Sequence, residues 1–371
     1  MTTQDMTADS KGQNTNGTGL TWREIQQQPA LWPTTAERVR EGVERLQIRA
    51  KLQDARVVIT GAGTSAYAAA AIAAAWPRAT VVPSTDLLLA TERSMEDASV
   101  LVSVARSGDS PESMAVVERV HRLRSDVWHL AITCNPRGGL ATSPLVNSII
   151  LDPRTNDESL VMTSSFSNLL LAGLCLVRGE SMEPVIATAA AEAHNKLVAI
   201  NDSMRRLANK VEDRVLLLAS PPLFSWAQEG ALKVLEMTAG RFPVMAETYL
   251  ALRHGPMSFV RSNTLVICLL ANDSRSRSYE EDLIRELRTK NLGHLVGVSQ
   301  VGNRETGGSK LFDEVVPALL SYADDDVRTP FEILGPQLLG YHLSLRVGLN
   351  PDSPSPGGVI NRVAQGIRIH E

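Results

Sequence analysis

Residues 57–65 read Val-Val-Ile-Thr-Gly-Ala-Gly-Thr-Ser, an apolar strand that runs into a glycine turn. The next residues, Ser65–Trp76, are rich in alanine and are predicted to form a helix. Glycine lets a backbone pass close to an anion, and the first turn of a helix offers free N–H groups to it. The order of strand, glycine turn and helix therefore predicts an α/β unit with a candidate anion site at the end of its strand.

The same alternation continues around this unit and predicts a mostly parallel sheet that is covered by helices on both faces. The predicted strands are Val57–Thr60, Thr80–Pro83, Val100–Val104, Val127–Thr133 and Ser148–Leu151. The predicted helices are Trp22–Leu52, which precedes the sheet, then Ser65–Trp76, Glu112–Arg124 and the short Leu140–Pro144.

Two long helical stretches, Ser159–Arg178 and Pro184–Asn209, follow without a strand between them and are suited to a bridge between domains. The alternation then restarts, and we predict two similar α/β domains in tandem. The predicted strands of the second half are Val215–Ala219, Val244–Met245, Thr264–Leu269, His294–Val298 and Glu314–Val316. Its predicted helices are Leu223–Thr238, Tyr279–Lys290 and Phe331–Leu349.

The 371 residues are predicted to divide into four parts. They are a disordered polar tail (1–19), a helical extension (20–52), a first α/β domain (53–205) and a second α/β domain (206–371). Within the last part, Asn350–Gly358 is rich in proline and glycine and is predicted to be a loop. Residues Val359–Ile369 are predicted to form a strand or a short helix.

The composition argues against several classes of protein. Lys and Arg number 37 and Asp and Glu number 41, so the net charge of −4 gives no general attraction to nucleic acid or to an anionic membrane. Cys134, Cys175 and Cys268 form no Cys-x-x-Cys pair, which favours a reducing, cytoplasmic setting. No apolar run approaches the ~18 residues of a membrane span, and the polar start lacks the apolar block of a signal peptide.

The glycine turn by itself leaves three interpretations open. Gly61-Ala-Gly63-Thr-Ser-Ala66 fits Gly-x-Gly-x-x-Ala, a variant of the dinucleotide fingerprint, and Asp86 stands where a ribose-binding acid is expected. A tight turn with a purely structural role is the second interpretation. A cradle for a single phosphate is the third.

The loop after the next strand favours the phosphate. Strand Val100–Val104 runs into Ala105-Arg-Ser-Gly-Asp-Ser-Pro-Glu-Ser113, in which Ser107 and Ser110 can donate hydroxyl hydrogen bonds while backbone N–H groups form a cradle. A third cluster, Met162-Thr-Ser-Ser-Phe-Ser167, opens the next long helix, and plain N-capping explains such a cluster on its own. Three clusters at successive strand-to-helix junctions favour a polar ligand at the carboxyl edge of the sheet.

Gly61-Ala-Gly-Thr-Ser65 together with Ser107-Gly-Asp-Ser110 resembles the sugar isomerase (SIS) domain family, which binds phosphosugars through such loops. The resemblance implies two tandem SIS domains of flavodoxin-like α/β fold. In hexosamine-phosphate synthases the second loop reads Ser-Gln-Ser-Gly-Glu-Thr, so Ala105 and Arg106 remove one hydroxyl here. Arg106 either compensates by its charge or its backbone N–H, or is a solvated surface arginine. The implied phosphate site comprises Gly63, Thr64, Ser65, Arg106, Ser107, Gly108 and Ser110, with Ser164 and Ser165 nearby.

The second half carries the candidates for acid–base chemistry. Glu229, Lys233 and Glu236 are spaced i, i+4, i+7 and share one face of a predicted helix. The spacing alone favours an exposed ion-pair stripe, with each pair contributing only ~0.3 kcal/mol. His254 precedes Gly-Pro and is expected in a constrained turn, where an imidazole can move protons near neutral pH. A single histidine is nevertheless more often structural.

Glu229-Gly-Ala-Leu-Lys-Val-Leu-Glu236, followed by His254-Gly-Pro, is similar to the isomerase domain of glucosamine-6-phosphate synthase. The resemblance implies that Glu236 is the base that moves a proton between C2 and C1, and that His254 assists ring opening, serving the pocket of a neighbouring subunit. It implies that Lys233 lies beside the substrate hydroxyls or tunes Glu236. The synthase has a catalytic lysine near its C-terminus, whereas this sequence has no lysine after Lys310, which excludes a Schiff base from that region.

The sequence contains six further motifs: Ala105–Ser113, Thr155–Asp157, Met162–Phe166, Arg253–Pro256, Asn350–Pro351 and Val359–Gly366. Together they resemble the AgaS family across about residues 20–369. Its members are described as tagatose-6-phosphate ketose/aldose isomerases or galactosamine-6-phosphate deaminase/isomerases. The resemblance implies an enzyme that converts an amino-hexose 6-phosphate, galactosamine 6-phosphate above all, to a ketose 6-phosphate (tagatose 6-phosphate) and ammonia.

Two rival functions share these motifs. A plain aldose–ketose isomerase would use the same proton shuttle, and a non-catalytic phosphosugar-binding regulator would bind the sugar without turnover. No cofactor and no metal are expected, since no His/Cys cluster has the spacing of metal ligands. The expected partner is a phosphorylated amino sugar, with neither nucleic acid nor membrane. Shared sites require a homodimer or a larger homo-oligomer, which we expect in the cytoplasm.

Overall fold

A computed structural model describes residues 19–299, 305–306, 309–320, 322–364 and 366–370. The predicted disordered tail, residues 1–19, lies outside the described residues except for Gly19. None of the helices in these ranges is long and apolar enough to cross a membrane.

The N-terminal helical extension consists of α1 (Leu20–Arg45) and α2 (Ile48–Leu52). The sequence predicts one helix over 22–52, but Gln47 adopts a left-handed conformation with φ of +50° and separates the two. The first turn of α1 is capped from far along the chain. Asp352 accepts hydrogen bonds from the backbone N–H groups of Leu20 at 3.0 Å and of Thr21 at 2.8 Å.

The first sheet has five parallel strands in the order β2-β1-β3-β4-β5. Thr60, the last residue of β1, pairs with Ser103 of β3, so the turns that follow these two strands lie at the same carboxyl edge. Every residue of β1 and β3 is buried, as expected for a parallel sheet with helices on both faces. The strands are β1 (Val57–Thr60), β2 (Ala79–Val81), β3 (Val100–Ala105), β4 (Trp128–Thr133) and β5 (Asn147–Ile150).

Helices connect these strands, and two short ones, α4 and α5, were not predicted. The run between β2 and β3 forms two helices of six and four residues, too short to show a helical period in the sequence. The connecting helices are α3 (Thr64–Ala74), α4 (Ser84–Leu89), α5 (Thr91–Ser94), α6 (Pro111–Leu123) and α7 (Gly139–Thr142). Two long helices, α8 (Ser164–Arg178) and α9 (Met182–Lys210), lead to the second half, as expected.

The second sheet also has five parallel strands, in the order β12-β9-β8-β6-β7, and a short antiparallel pair, β10 with β11, lies apart from it. The tandem α/β fold is therefore confirmed. The strands are β6 (Val215–Leu218), β7 (Val244–Glu247), β8 (Leu265–Leu269), β9 (His294–Val298), β10 (Glu305–Thr306), β11 (Ser309–Lys310) and β12 (Glu314–Val316). The helices are α10 (Phe224–Met237), α11 (Tyr249–Leu252), α12 (Ser274–Thr289), α13 (Thr329–Glu332) and α14 (Leu334–Arg346).

Three predictions about this half need correction. Helix α12 begins at Ser274 rather than Tyr279, because the Asp273 side chain caps it by accepting from Ser276 N at 2.8 Å. The predicted helix Phe331–Leu349 is divided between α13 and α14. The prediction of a strand or helix over 359–369 is wrong, since the described residues of that stretch form neither.

One hydrophobic core is continuous between the two sheets. It contains Ile59 of β1 and Ile267 of β8, and Trp32 of α1 meets Phe331 of α13 edge to face, with ring centroids 4.9 Å apart. Every residue of α8 from Ser164 to Cys175 is buried. The three cysteines are free and buried. The core therefore holds the helices that carry the candidate site residues against both sheets.

Candidate active site

Two glycine turns lie side by side at the carboxyl edge of the first sheet. After β1, the exposed Gly63 has φ of +55°, and α3 begins at the next residue. After β3, Gly108 has φ of +70°. Glycine adopts these left-handed conformations without the steric cost of a Cβ atom. The arrangement places the N-terminus of α3 next to the turn that follows β3, as expected for a single anion held between two loops.

The hydroxyl groups of these turns have different tasks in the structure. Ser110 caps α6, because its Oγ accepts from Ser113 N at 3.2 Å. Ser107 Oγ accepts from Asp109 N at 3.2 Å and remains partly exposed. Ser65 lies buried in the first turn of α3. Ser65, Ser107 and Ser110 thus occupy the edge where the sequence predicts a phosphate.

Thr64 uses its hydroxyl elsewhere, in a buried cluster with three charged residues of α10. Thr64 Oγ1 donates to Glu229 Oε1 at 3.2 Å and accepts from Lys233 Nζ at 3.2 Å. Lys233 Nζ also lies 3.2 Å from Glu229 Oε1 and 2.6 Å from Glu236 Oε2. Thr64 can therefore offer a ligand its backbone N–H, while its side chain joins the first sheet to the second.

The exposed ion-pair stripe that the spacing favoured is wrong, because α3 covers this face of α10. The side chains of Glu229 and Lys233 are fully buried, and that of Glu236 keeps 24% of its surface exposed. Only Glu236 of the three is open to a substrate. This burial agrees with the role that the resemblance implied for Glu236, while the role itself remains a prediction.

Burial changes the acid–base properties of the cluster. Burial raises the pKa of Glu229 to about 7, although the adjacent Lys233 acts in the opposite direction. Burial acts to lower the pKa of Lys233, but the attraction of Glu229 and Glu236 outweighs it and the pKa is raised. Lys233 is therefore a permanent cation beside the exposed carboxylate. Among the described residues, Glu229 Oε2 is a buried oxygen without a hydrogen-bond partner.

Tyr67 lies beside the cluster of Glu229, Lys233 and Glu236 and was not singled out from the sequence. It lies one helical turn after Thr64 and is half-buried. Burial and then the negative charges of Glu229 and Glu236 raise the pKa of its phenol, so the hydroxyl remains protonated. Spacing of i, i+3 on α3 is the signal that could have found it.

His254 lies in an exposed turn at the end of α11. Its backbone N–H donates to Ala251 O at 2.9 Å, and Gly255 follows with φ of +120°. The constrained turn predicted from His-Gly-Pro is therefore confirmed. Within its own chain His254 is exposed, whereas Glu236 is only partly exposed.

Ser164 and Ser165 do not form part of an open site, which corrects the prediction that they lie by the phosphate. Both are fully buried, and the Asp157 carboxylate accepts from their backbone N–H groups at 3.0 and 2.9 Å. The same carboxylate accepts from Ser165 Oγ and from Thr163 N. Asp157 therefore satisfies the N-terminus of α8, and the capping interpretation of this cluster holds.

The Arg106 side chain is turned away from the glycine turns. It is 5% exposed and donates to the backbone carbonyls of Leu160, at 3.3 Å, and of Arg362. Arg362 in turn donates to Asp157 O at 2.8 Å. Arg106 is therefore neither a solvated surface arginine nor a side-chain ligand at this edge, and it holds the C-terminal segment against the first domain. Burial lowers the pKa of its guanidinium.

The described residues also line a cavity that lies apart from the predicted site residues. A cavity of about 740 Å³ lies between α1, α2 and the junction of α8 with α9, and it contains none of the predicted site residues. No group of three or more His, Cys, Asp or Glu side chains in the described ranges is arranged to hold a metal ion.

Comparison with family models finds no match. Comparison with characterised proteins is decisive. The D-galactosamine-6-phosphate deaminase AgaS of Shewanella sp. (strain ANA-3) is 35% identical over 95% of this chain and 92% of its own length. This chain belongs to the AgaS family. The alignment covers both sheets, so Thr64 and Lys233, which join the two sheets in the buried cluster, both lie inside the matched region.

Solved structures agree with the AgaS assignment. A crystal structure from Clostridium novyi, assigned provisionally as a tagatose-6-phosphate ketose/aldose isomerase, superposes with a TM-score of 0.86 at 31% identity and covers 95% of each chain. The tagatose-6-phosphate ketose/aldose isomerase of Escherichia coli gives a TM-score of 0.77 at 26% identity, covering 95% of this chain and 97% of its own. The AgaS relative is named as a deaminase and the two solved structures as isomerases, so this chain is identified as an enzyme of the SIS fold.

Proposed function

We propose that this AgaS-family chain converts an amino-hexose 6-phosphate and water to a ketose 6-phosphate and ammonia. The favoured substrate is D-galactosamine 6-phosphate and the favoured product is tagatose 6-phosphate, as the names of the relatives suggest. The observation that carries the proposal is the contact of 2.6 Å between Lys233 Nζ and Glu236 Oε2 beside the glycine turns. It provides a partly exposed carboxylate base at fixed geometry next to a candidate phosphate cradle.

The substrate phosphate binds between the turn of Gly63–Ser65 and the turn of Ser107–Ser110. His254 assists opening of the sugar ring. Glu236 then takes the proton from C2 of the open-chain amino aldehyde and returns it to C1, because one carboxylate can serve both carbons on the same face. The resulting ketimine at C2 adds water and releases ammonia, which leaves the ketose 6-phosphate.

Lys233 supports this chemistry through its charge. Its ammonium holds the Glu236 carboxylate in place by a charge-assisted hydrogen bond. The same ammonium donates to Thr64 at the start of α3. Lys233 therefore fixes the distance between the base and the phosphate turn.

We further propose a homodimer or larger homo-oligomer in the cytoplasm, whose sites are shared between subunits. His254 is exposed in its own chain, so a neighbouring subunit can receive it. Leu235, next to Glu236, and Leu250, on α11, each keep 47% of their surface exposed, which suits an interface. The domain boundaries proposed from the sequence, 53–205 and 206–371, keep one five-stranded sheet in each domain.

The test is ammonia release by the purified chain from galactosamine 6-phosphate and glucosamine 6-phosphate, measured side by side. Release from the galacto sugar alone is the expected result. Release from the gluco sugar would keep the mechanism and change the substrate. If neither sugar yields ammonia, deamination is wrong, and isomerisation of an amine-free sugar phosphate becomes the better candidate, as the names of the solved relatives suggest. Binding without any turnover would indicate a phosphosugar-binding regulator.

A further inference from the structure

The turn after β3 is held from behind by the loop that follows β4. We call residues 134–140, which include the first residues of α7, the β4 loop. Three consecutive carbonyl oxygens of the turn accept hydrogen bonds from the β4 loop, a contact made possible because β3 and β4 are neighbours in the sheet. Arg106 O accepts from Cys134 N at 3.2 Å, and Ser107 O accepts from Asn135 Nδ2 at 3.1 Å. Gly108 O accepts from Leu140 N at 3.1 Å.

The direction of these carbonyls determines the direction of the N–H groups. In a trans peptide the N–H points opposite to the C=O of the same unit. The N–H groups of Ser107, Gly108 and Asp109 therefore point away from the β4 loop, and the left-handed Gly108 curves them into a concave surface. Successive N–H groups in such a curve form an anion site. Asp109 N already donates to Ser107 Oγ at 3.2 Å, which leaves the first two directed outward.

Asn135 is the side chain that joins the two loops. Its Nδ2 donates to Ser107 O at 3.1 Å and to Asp109 Oδ2 at 3.2 Å. The other carboxylate oxygen of Asp109 accepts from Gly139 N at 2.9 Å. The negative charge of Asp109, which would repel a phosphate, is therefore bound to donors of the β4 loop.

The two loops are also in close contact. A Cβ atom on Gly138 would lie 2.0 Å from Ser107 O, which no side chain can tolerate without a backbone shift. This approach lets the short Asn135 side chain reach the turn. The geometry of the turn is thus fixed before any ligand arrives, and prior fixing of a site lowers the entropic cost of binding.

We propose that Asn135 is a positioning residue for phosphate: it holds Ser107 O and Asp109 so that the N–H groups of the turn face the anion. This inference rests on the proposed function, in which the turn of Ser107–Ser110 binds the substrate phosphate. Asn135 does not touch the substrate in this arrangement. It acts through the backbone of the turn, and its effect belongs to binding rather than to the proton transfer at Glu236.

The experiment is calorimetric titration of the full chain with galactosamine 6-phosphate and with inorganic phosphate, together with kcat, KM and the melting temperature. Asn135→Ala should bind both ligands roughly tenfold more weakly. The variant loses the two hydrogen bonds of Asn135, which together contribute about 1.4 kcal/mol, and that free energy corresponds to a factor of ten in the dissociation constant. Its kcat should stay within about twofold of the wild type. Asn135→Asp should bind still more weakly, because a carboxylate would face Ser107 O and Asp109.

The matched control is Asn147→Ala. Asn147 lies on β5 of the same sheet and also donates from Nδ2 to a backbone carbonyl, His129 O, at 3.3 Å. It should lose melting temperature to a similar extent and keep its affinity for phosphate. Equal loss of affinity in both variants would overturn the proposal, and so would wild-type affinity in Asn135→Ala.

Asp109→Asn tests the proposal independently of the folding of the Asn135 variants, because Asp109 is exposed. Removal of a negative charge alone would strengthen phosphate binding. Loss of the clamp should weaken it, since an amide has one acceptor oxygen where Asp109 uses two, for Asn135 Nδ2 and for Gly139 N. Tighter binding would overturn the proposal. Wild-type binding that weakens in Asn135→Ala, without release of ammonia, would refute the proposed function and keep this inference. A wild-type chain that binds neither ligand would refute both.

Discussion

Lys233 Nζ lies 3.2 Å from Thr64 Oγ1, although Lys233 belongs to α10 of the second half and Thr64 begins α3 of the first. The same ammonium contacts Glu229 and Glu236. One buried cation therefore connects the glycine turn, a neutralising carboxylate and the proposed base. A shift of one sheet relative to the other would break this contact, so the cluster couples the relative position of the halves to the geometry of the site.

Replacement of Lys233 by Met should remove both stability and turnover. The change leaves Glu229 buried without its cation, which typically costs about 3–5 kcal/mol of unfolding free energy. Urea denaturation and ammonia release measure the two effects. The double variant Lys233→Met/Glu229→Gln should recover part of the stability. The control is Lys196→Met, which removes a partly exposed pair with Glu192. The expectation fails if Lys233→Met costs no more than this control.

Replacement of Glu236 by Gln should abolish turnover and spare binding. A general base contributes about 10²- to 10⁴-fold to a rate, so kcat should fall at least about 100-fold. The dissociation constant of galactosamine 6-phosphate, measured by calorimetry, should change less than about threefold. Glu281→Gln is a suitable control, since Glu281 is similarly exposed and pairs with Arg285 at 2.8 Å. Full turnover in Glu236→Gln would show that another group is the base.

The pH dependence of stability should report on Glu229. Its pKa is raised from 4.5 to about 7 in the folded chain. The folded state therefore holds this proton more tightly, and the resulting stabilisation is complete below pH 4.5 and lost as the pH rises through 7. Glu229→Gln removes the titration. The unfolding free energy of the variant should thus improve relative to the wild type as the pH rises from 4.5 to 7.

Urea denaturation of both proteins at the two ends of this range gives the measurement. Glu281→Gln, which alters a partly exposed carboxylate, should show no such improvement. A constant difference between Glu229→Gln and the wild type would mean that Glu229 is ionised throughout the range.

Shared sites predict that two inactive variants restore activity together. Glu236→Gln and His254→Ala should each be inactive as pure proteins. In a hybrid dimer, one of the two sites would combine an intact Glu236 with an intact His254 from the other chain. Co-expression in equal amounts should therefore give about a quarter of wild-type activity, because half of the dimers are hybrids with one working site. Absence of any recovery would place both residues in the same chain's site.

Replacement of Ser165 by Ala should lower stability without changing KM. Ser165 Oγ donates to the Asp157 carboxylate at the buried N-terminus of α8, and loss of a hydrogen bond to a charged group typically costs about 1.5–3 kcal/mol. Ser65→Ala, at the start of α3, should have the opposite profile, with a raised KM and little loss of stability. Thermal unfolding measures the stability of both variants, and steady-state kinetics measures their KM. A raised KM in Ser165→Ala would indicate that Ser165 contributes to the phosphate site.

Much of the fold could be predicted because its signals are local. The apolar runs at Val100–Val104 and His294–Val298 are bounded by turn residues, and β9 has the bounds that the sequence predicts. The turns at Gly63 and Gly108 are visible for the same reason, since left-handed backbone favours glycine. Short helices and the residues after 359 lack such periodic signals.

The parts of the site that could not be predicted depend on contacts between distant segments. The spacing of Glu229, Lys233 and Glu236 gives a shared helical face, but the packing of α3 decides that this face is buried. Arg106 turns inward because the carbonyl of Arg362 accepts from it. Asn135 reaches Ser107 because β4 lies beside β3 in the sheet. None of these neighbours can be read from the spacing of residues in one segment.

The cap on α1 has a consequence for the point during synthesis at which this helix can be completed. Leu20 and Asp352 are 332 positions apart, yet the carboxylate of Asp352 accepts from the first N–H groups of the helix. During translation α1 leaves the ribosome long before its cap is synthesised. Until then the first N–H groups of α1 have only water as a hydrogen-bond partner at this end of the helix. Among the described helices, α1 is therefore the first to be synthesised and one of the last to receive its cap.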